Sequence, residues 1–190
     1  MTPHKNQDLL IRTQYYLSRM VGKNFRLVLV GHSDPIYGDY LRLLIKSLGI
    51  ESTVLIRERV EAAELSALYR GSAAYVSASR HEGYGIPLIE AMRHGLPVFA
   101  LSNDGVRETL GGAGVLIHTK RPHRLAEIVA TVLEDSKAVA AVLSGQEQRL
   151  EQVQRSQSRA EAQNRLMEMV TKVMRKGRHP RPAPEARIFS

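Results

Sequence analysis

Residues 79–100 read S-R-H-E-G-Y-G-I-P-L-I-E-A-M-R-H-G-L-P-V-F-A and place a loop, a short helix and a strand in one span. Pro87 suits the start of a helix because its missing N–H has no partner there anyway. Gly95 suits the residue past the end, and Pro97 blocks continuation. The punctuation predicts a helix over 86–94, and the apolar run 97–101 predicts a buried strand. Glu90 is expected in the first turn and Glu82 in the loop before it. Between them lie Gly83, Tyr84, Gly85 and Ile86. The free N–H groups and positive dipole end of a helix N-terminus favour an anion, and glycine lets backbone approach it closely. Two glutamates at this spacing, taken alone, are ordinary solvated side chains. With the glycines, prolines and strand around them they form a candidate site with a carboxylate at each end.

Outward from that span, runs of period 2 alternate with runs of period 3.6, the pattern of a mostly parallel sheet covered by helices on both faces. Helices are predicted over 8–21, 37–48, 62–69, 106–110, 122–133 and 145–175, and strands over 25–31, 53–57, 74–77 and 115–117. The expected organisation is a Rossmann-like α/β domain over 1–143, a C-terminal helix over 144–176 and a disordered basic tail over 177–190. Leu150, Val153, Leu166, Met169, Val170 and Val173 mark a narrow apolar stripe on the last helix.

With 190 residues, 43% hydrophobic and 24% charged, the chain has the balance of a globular domain. It contains no cysteine, so disulfides are excluded, and no apolar run approaches bilayer length. These features point to a cytoplasmic protein. Of the net charge of +8, five units lie in 171–190, where six Lys and Arg face Glu185 alone. Such a tail suits an anionic membrane surface, each basic side chain contributing about 1 kcal/mol near it. Nucleic acid is a weaker partner class, because tryptophan is absent and the ten aromatics are scattered. The seven histidines show no metal-ligand spacing, and neither a Walker loop nor a nucleophile elbow is present.

The motif resembles that of the retaining, nucleotide-sugar-dependent glycosyltransferases of family 4, which have the two-domain GT-B fold. The resemblance extends from H-K-N-Q-D-L-L at His4, through L-V-L-V-G at Leu27 and E-L-S-A-L-Y-R at Glu64, to E-T-L-G-G-A-G-V-L at Glu108. In that family these segments form the C-terminal, donor-binding half. The resemblance implies that Glu90 accepts hydrogen bonds from the ribose diol and that Glu82 holds hydroxyls of the transferred hexose. It further implies that the N–H groups of Tyr84, Gly85 and Ile86, beside Gly83, face sugar and diphosphate. Lys5 would neutralise the leaving diphosphate, and Gly31 would line the crevice at its strand's carboxyl end. It implies a nucleotide-diphosphate sugar as donor, a glycan or lipid-linked acceptor, and a site peripheral to the inner membrane face. Without a D-x-D pair, no metal or other cofactor is implied. Residues 108–116 and the V-L-S-G-Q-E-Q-R-L segment are similar to a bacterial subgroup that builds surface polysaccharides.

One difficulty is physical. In a doubly wound sheet of order 3-2-1-4-5-6 the first strand is central, and in the resembled family it precedes the residues matching Met1 to Lys5. Without it, two strand edges and some apolar surface should be uncovered. The expectation is that the native protein begins earlier, or that this is a truncated product. The rival reading is therefore an inactive donor-half remnant that binds a nucleotide or a partner without catalysis. Three departures from the family pattern stand out: Glu58 where glycine is usual near the nucleobase, Ala73 for aspartate, and Ala78 for proline.

Overall fold

The computed structural model describes residues 1–20, 25–80 and 85–176. After a 3-10 turn at Pro3–Lys5 come α1 (Gln7–Met20), β1 (Leu27–Val30), α2 (Pro35–Leu48), β2 (Val54–Arg57), α3 (Ala62–Arg70) and β3 (Tyr75–Ser77). Then follow α4 (Ile86–Arg93), β4 (Val98–Leu101), α5 (Asp104–Leu110), β5 (Val115–Ile117), α6 (Pro122–Glu134) and α7 (Ser136–Lys176). Met1–Leu150 form one compact unit and Glu151–Ser190 a second.

Every ladder is parallel, as the alternation of strand and helix requires. β4 shows the doubly wound plan most plainly. Phe99 and Leu101 face a core with α1, α2 and α6, while Val98 and Ala100 face a second core with α3, α4 and α5. Alternate side chains of one strand thus serve both layers of helices.

Among the described residues the strands form two sheets, β1-β2 and β3-β4-β5, with no ladder from β1 to β3. Val30 at the end of β1 and Leu55 in β2 are 37% and 45% accessible. Residues 1–6 bridge the ends of the two sheets. Asp34 N–H donates to the Met1 carbonyl, and Arg80 N–H to that of His4, each at 2.9 Å. Asn6 Nδ2 donates to the Ala78 carbonyl at 2.9 Å, and Arg80 Nε donates to Asn6 Oδ1 at 2.9 Å.

Helix starts follow their caps. Asp34 Oδ1 accepts from Tyr37 N–H and Pro35 opens α2, two residues before the predicted start. Asn103 likewise caps α5 through Val106 N–H, again two residues early. The largest correction concerns α7, which begins at Ser136 rather than 145. Asp135 Oδ1 accepts from Lys137 and Ala138 N–H groups, so the cap lies well before Gly145. Gly145 then lies inside the helix, in open space.

Amide exchange should be slowest in β4, whose four side chains are all buried and which is paired on both sides. β1 and β2, half-covered and paired on one side, should exchange faster. Equal protection in a hydrogen-exchange experiment would contradict this ranking.

Candidate functional site

The 3-10 turn carrying Lys5 packs at the carboxyl ends of β1 and β3, held there by the Asp34, Ala78 and Arg80 bonds just described. Lys5 is half-buried and engaged in interactions of its own. Gly31 follows β1 with φ 128°, a conformation that side chains rarely adopt, and its N–H donates to the Arg57 carbonyl at 2.9 Å. A Cβ there would meet no atom within 4 Å, so the backbone at Gly31 borders open space. Gly85 is the N-cap of α4, left-handed at φ 58°, and as a glycine supplies no capping side chain. Ile86, the first helical residue, is 63% exposed. The Lys5 turn and Gly31 thus lie beyond the carboxyl end of β1, and α4 follows the carboxyl end of β3; the carboxyl ends of strands are the usual position of a ligand in such sheets. Glu82, Gly83 and Tyr84 lie outside the described residues.

Glu90 needs a correction of position. The helix begins at Ile86, so Glu90 opens the second turn rather than lying in the first. Its carboxylate is half-buried, and Oε2 accepts a hydrogen bond from the Tyr69 hydroxyl at 3.2 Å. Burial first, and then the Glu90 charge, push the Tyr69 phenol up to about 12, so it remains a proton donor through the neutral range. Glu58, the departure near the expected nucleobase segment, is held by Arg42, whose Nη2 donates to Oε1 at 2.5 Å. Its charge is thereby offset by an exposed ion pair.

A cavity of about 290 Å³ is lined by Ser79, Arg80, Leu101, Ser102, Asn103 and Lys120. It lies at the carboxyl ends of β3, β4 and β5, and its two cations add to the positive character of this end of the sheet. Among the described residues no group of three or more His, Cys, Asp or Glu is placed to hold a metal ion. No described helix is long and apolar enough to cross a membrane. Sequence reasoning missed Asn6, Arg80 and Tyr69. The first two act across some seventy residues of chain, which no local pattern reveals. Tyr69 gave one signal, its place in E-L-S-A-L-Y-R.

Comparison with known proteins bears on the fold and the family. The D-inositol 3-phosphate glycosyltransferase of Corynebacterium glutamicum (strain R) is 29% identical over 145 residues, covering 72% of this chain and 34% of that protein. The chain thus spans about a third of the length of the curated relatives it matches. Anabaena HepE, solved in complex with UDP-glucose, is similar with TM-score 0.71 at 27% identity, over 86% of this chain and 46% of that one. The C-terminal domain of LpcC, a glycosyl transferase group 1 family protein from Francisella tularensis, shares the fold with TM-score 0.69 at 20% identity, over 80% of each chain. The family model for glycosyl transferases group 1 matches residues 1–158, which include both sheets, the Lys5 turn and α4. A parallel α/β plan and a family match over most of its length agree: this chain belongs to the glycosyl transferases group 1.

Proposed function

We propose that the chain is the donor-binding half of a retaining, family 4 glycosyltransferase that moves a hexose from a nucleotide-diphosphate sugar to a glycan or lipid-linked acceptor. What supports this reading is the placement of the Lys5 turn and Gly31 beyond the carboxyl end of β1 and of the α4 start after the carboxyl end of β3. A diphosphate fits there, between a cation, backbone that admits close approach and the positive end of a helix. Glu90, from the same helix, supplies carboxylate oxygens for the ribose diol.

In the transfer, the bond from the anomeric carbon to the diphosphate oxygen breaks through an oxocarbenium-like transition state. The acceptor oxygen bonds to the same face, and its proton passes to the departing phosphate oxygen. Charge growing on the diphosphate would meet Lys5 and the N–H groups of Tyr84, Gly85 and Ile86, beside Gly83, so stabilisation is in place before the reaction. Glu82 holds the hexose hydroxyls. The reaction so written calls for no metal and no cofactor beyond the donor. A role in bacterial surface-polysaccharide assembly rests on residues 108–116 and on the V-L-S-G-Q-E-Q-R-L segment. The basic tail would hold the cytoplasmic enzyme against an anionic membrane face.

The test is calorimetric titration of the chain with UDP, GDP and dTDP. Glu90→Ala should weaken binding of the preferred nucleotide by about 1–3 kcal/mol, or about 5- to 150-fold. Unchanged affinity would remove Glu90 from the ribose.

A further inference from the structure

Tyr69 lies in the last turn of α3 and is 9% exposed. Its ring stacks on the His94 imidazole, with centroids 5.1 Å apart and planes 13° from parallel, and leans on Tyr75 at 6.1 Å. It belongs to the core formed with Leu88, Ala91 and Met92 of α4. The ring therefore has little freedom to turn, and its hydroxyl is aimed at Glu90 Oε2. A carboxylate on a flexible side chain can ordinarily swing and rotate, and ordering it on binding costs entropy. Here one oxygen is already fixed by a neutral donor, so the orientation of the carboxylate plane, and with it that of the remaining lone pairs, is set before a ligand arrives. Two adjacent hydroxyls require acceptors so set.

We infer that Tyr69 is a positioning residue that locks the Glu90 carboxylate for a vicinal diol, so that the site selects ribonucleotide over 2′-deoxyribonucleotide donors. This rests on the ribose role proposed for Glu90 and adds to it a substrate class and the residue that sets it. A ribonucleotide satisfies both free acceptor positions, whereas a 2′-deoxyribonucleotide leaves one without its partner. A half-buried charged acceptor is costly to leave so.

The experiment titrates the full chain, its Tyr69→Phe, Glu90→Gln and Glu90→Asp variants, with UDP and 2′-deoxy-UDP and with GDP and 2′-deoxy-GDP. Wild type should prefer the ribose form of whichever base binds by about tenfold or more, the value of a hydrogen bond to a charged group. Tyr69→Phe keeps the ring stack and should fold, as its melting curve would show. It should lose most of that preference through weaker ribose binding while 2′-deoxy binding stays the same. Glu90→Asp, which draws the carboxylate back from the phenol, should behave likewise even if Tyr69→Phe folds poorly. A merely structural Tyr69 would lower both affinities together and leave their ratio untouched, which overturns the inference. If wild type has no ribose preference, or Glu90→Gln preserves it, the ribose role of Glu90 itself fails. Those outcomes are distinguishable from failure of Tyr69 alone.

Discussion

Gln146→Leu should lower stability by about 2–6 kcal/mol, because each orphaned buried polar group costs about 1–3 kcal/mol. Gln146 is 1% exposed in α7. Its Oε1 accepts from Val98 N–H at 2.8 Å and its Nε2 donates to the Leu96 carbonyl at 2.7 Å. The side-chain amide behaves as a missing piece of strand. The β4-β5 ladder begins at Phe99, one residue after Val98, so the first peptide of β4 on that side has no strand neighbour and Gln146 takes the place. Leucine matches the volume and offers neither donor nor acceptor. Urea denaturation measures the loss, and amide exchange at Val98 should accelerate beyond the global change. A loss under about 1 kcal/mol would mean that water enters and replaces the amide.

Gly85→Ala is the second large effect, at about 2–5 kcal/mol. About 1–2 kcal/mol comes from holding a side chain in the left-handed region, and about 1–3 kcal/mol from overpacking. A Cβ on Gly85 would stand 2.7 Å from Thr109 Oγ1, 2.8 Å from its Cγ2 and 3.1 Å from Leu88 Cδ1. Thr109 cannot retreat easily, since it is 9% exposed and its carbonyl, with that of Glu108, receives the Arg149 guanidinium. The two contributions separate in the double variant Gly85→Ala/Thr109→Ala. It should recover the steric part in a denaturation experiment relative to Thr109→Ala alone, and keep the backbone part. No recovery would show that the strain is conformational only. Because Gly85 caps α4, the single variant should also weaken nucleotide binding.

The span around α4 was legible because its signals are local. Pro87, Gly95 and Pro97 fixed the helix to within one residue, Ile86–Arg93 against 86–94. The strand and helix order was legible for the same reason, as was the division of the sheet, which follows from topology. What escaped depends on contacts remote in sequence. Gln146 reads as one polar residue in a polar helix, and nothing near it announces Leu96 or Val98. Gly145 reads as a helix breaker, although Asp135 ten residues earlier sets the start of α7. The Glu90–Tyr69 pair joins two helices across twenty-one residues. Of the candidate site residues, Lys5 and Gly31 lie beyond the end of β1 and Gly85 and Ile86 at the start of α4, whereas Glu82, Gly83 and Tyr84 lie outside the described residues.

The division between β1 and β3 also has a consequence for cohesion. The Lys5 turn, Gly31 and the α4 start sit on both sides of it. A ligand occupying all three would fasten one part of the domain to the other, so that saturation and mechanical integrity become a single property. By mass action, a ligand at a hundred times its dissociation constant contributes about 2.7 kcal/mol to the folded state. In a domain whose described strands form two sheets, that gain would fall where the two meet, and a ligand there would act as a structural tie.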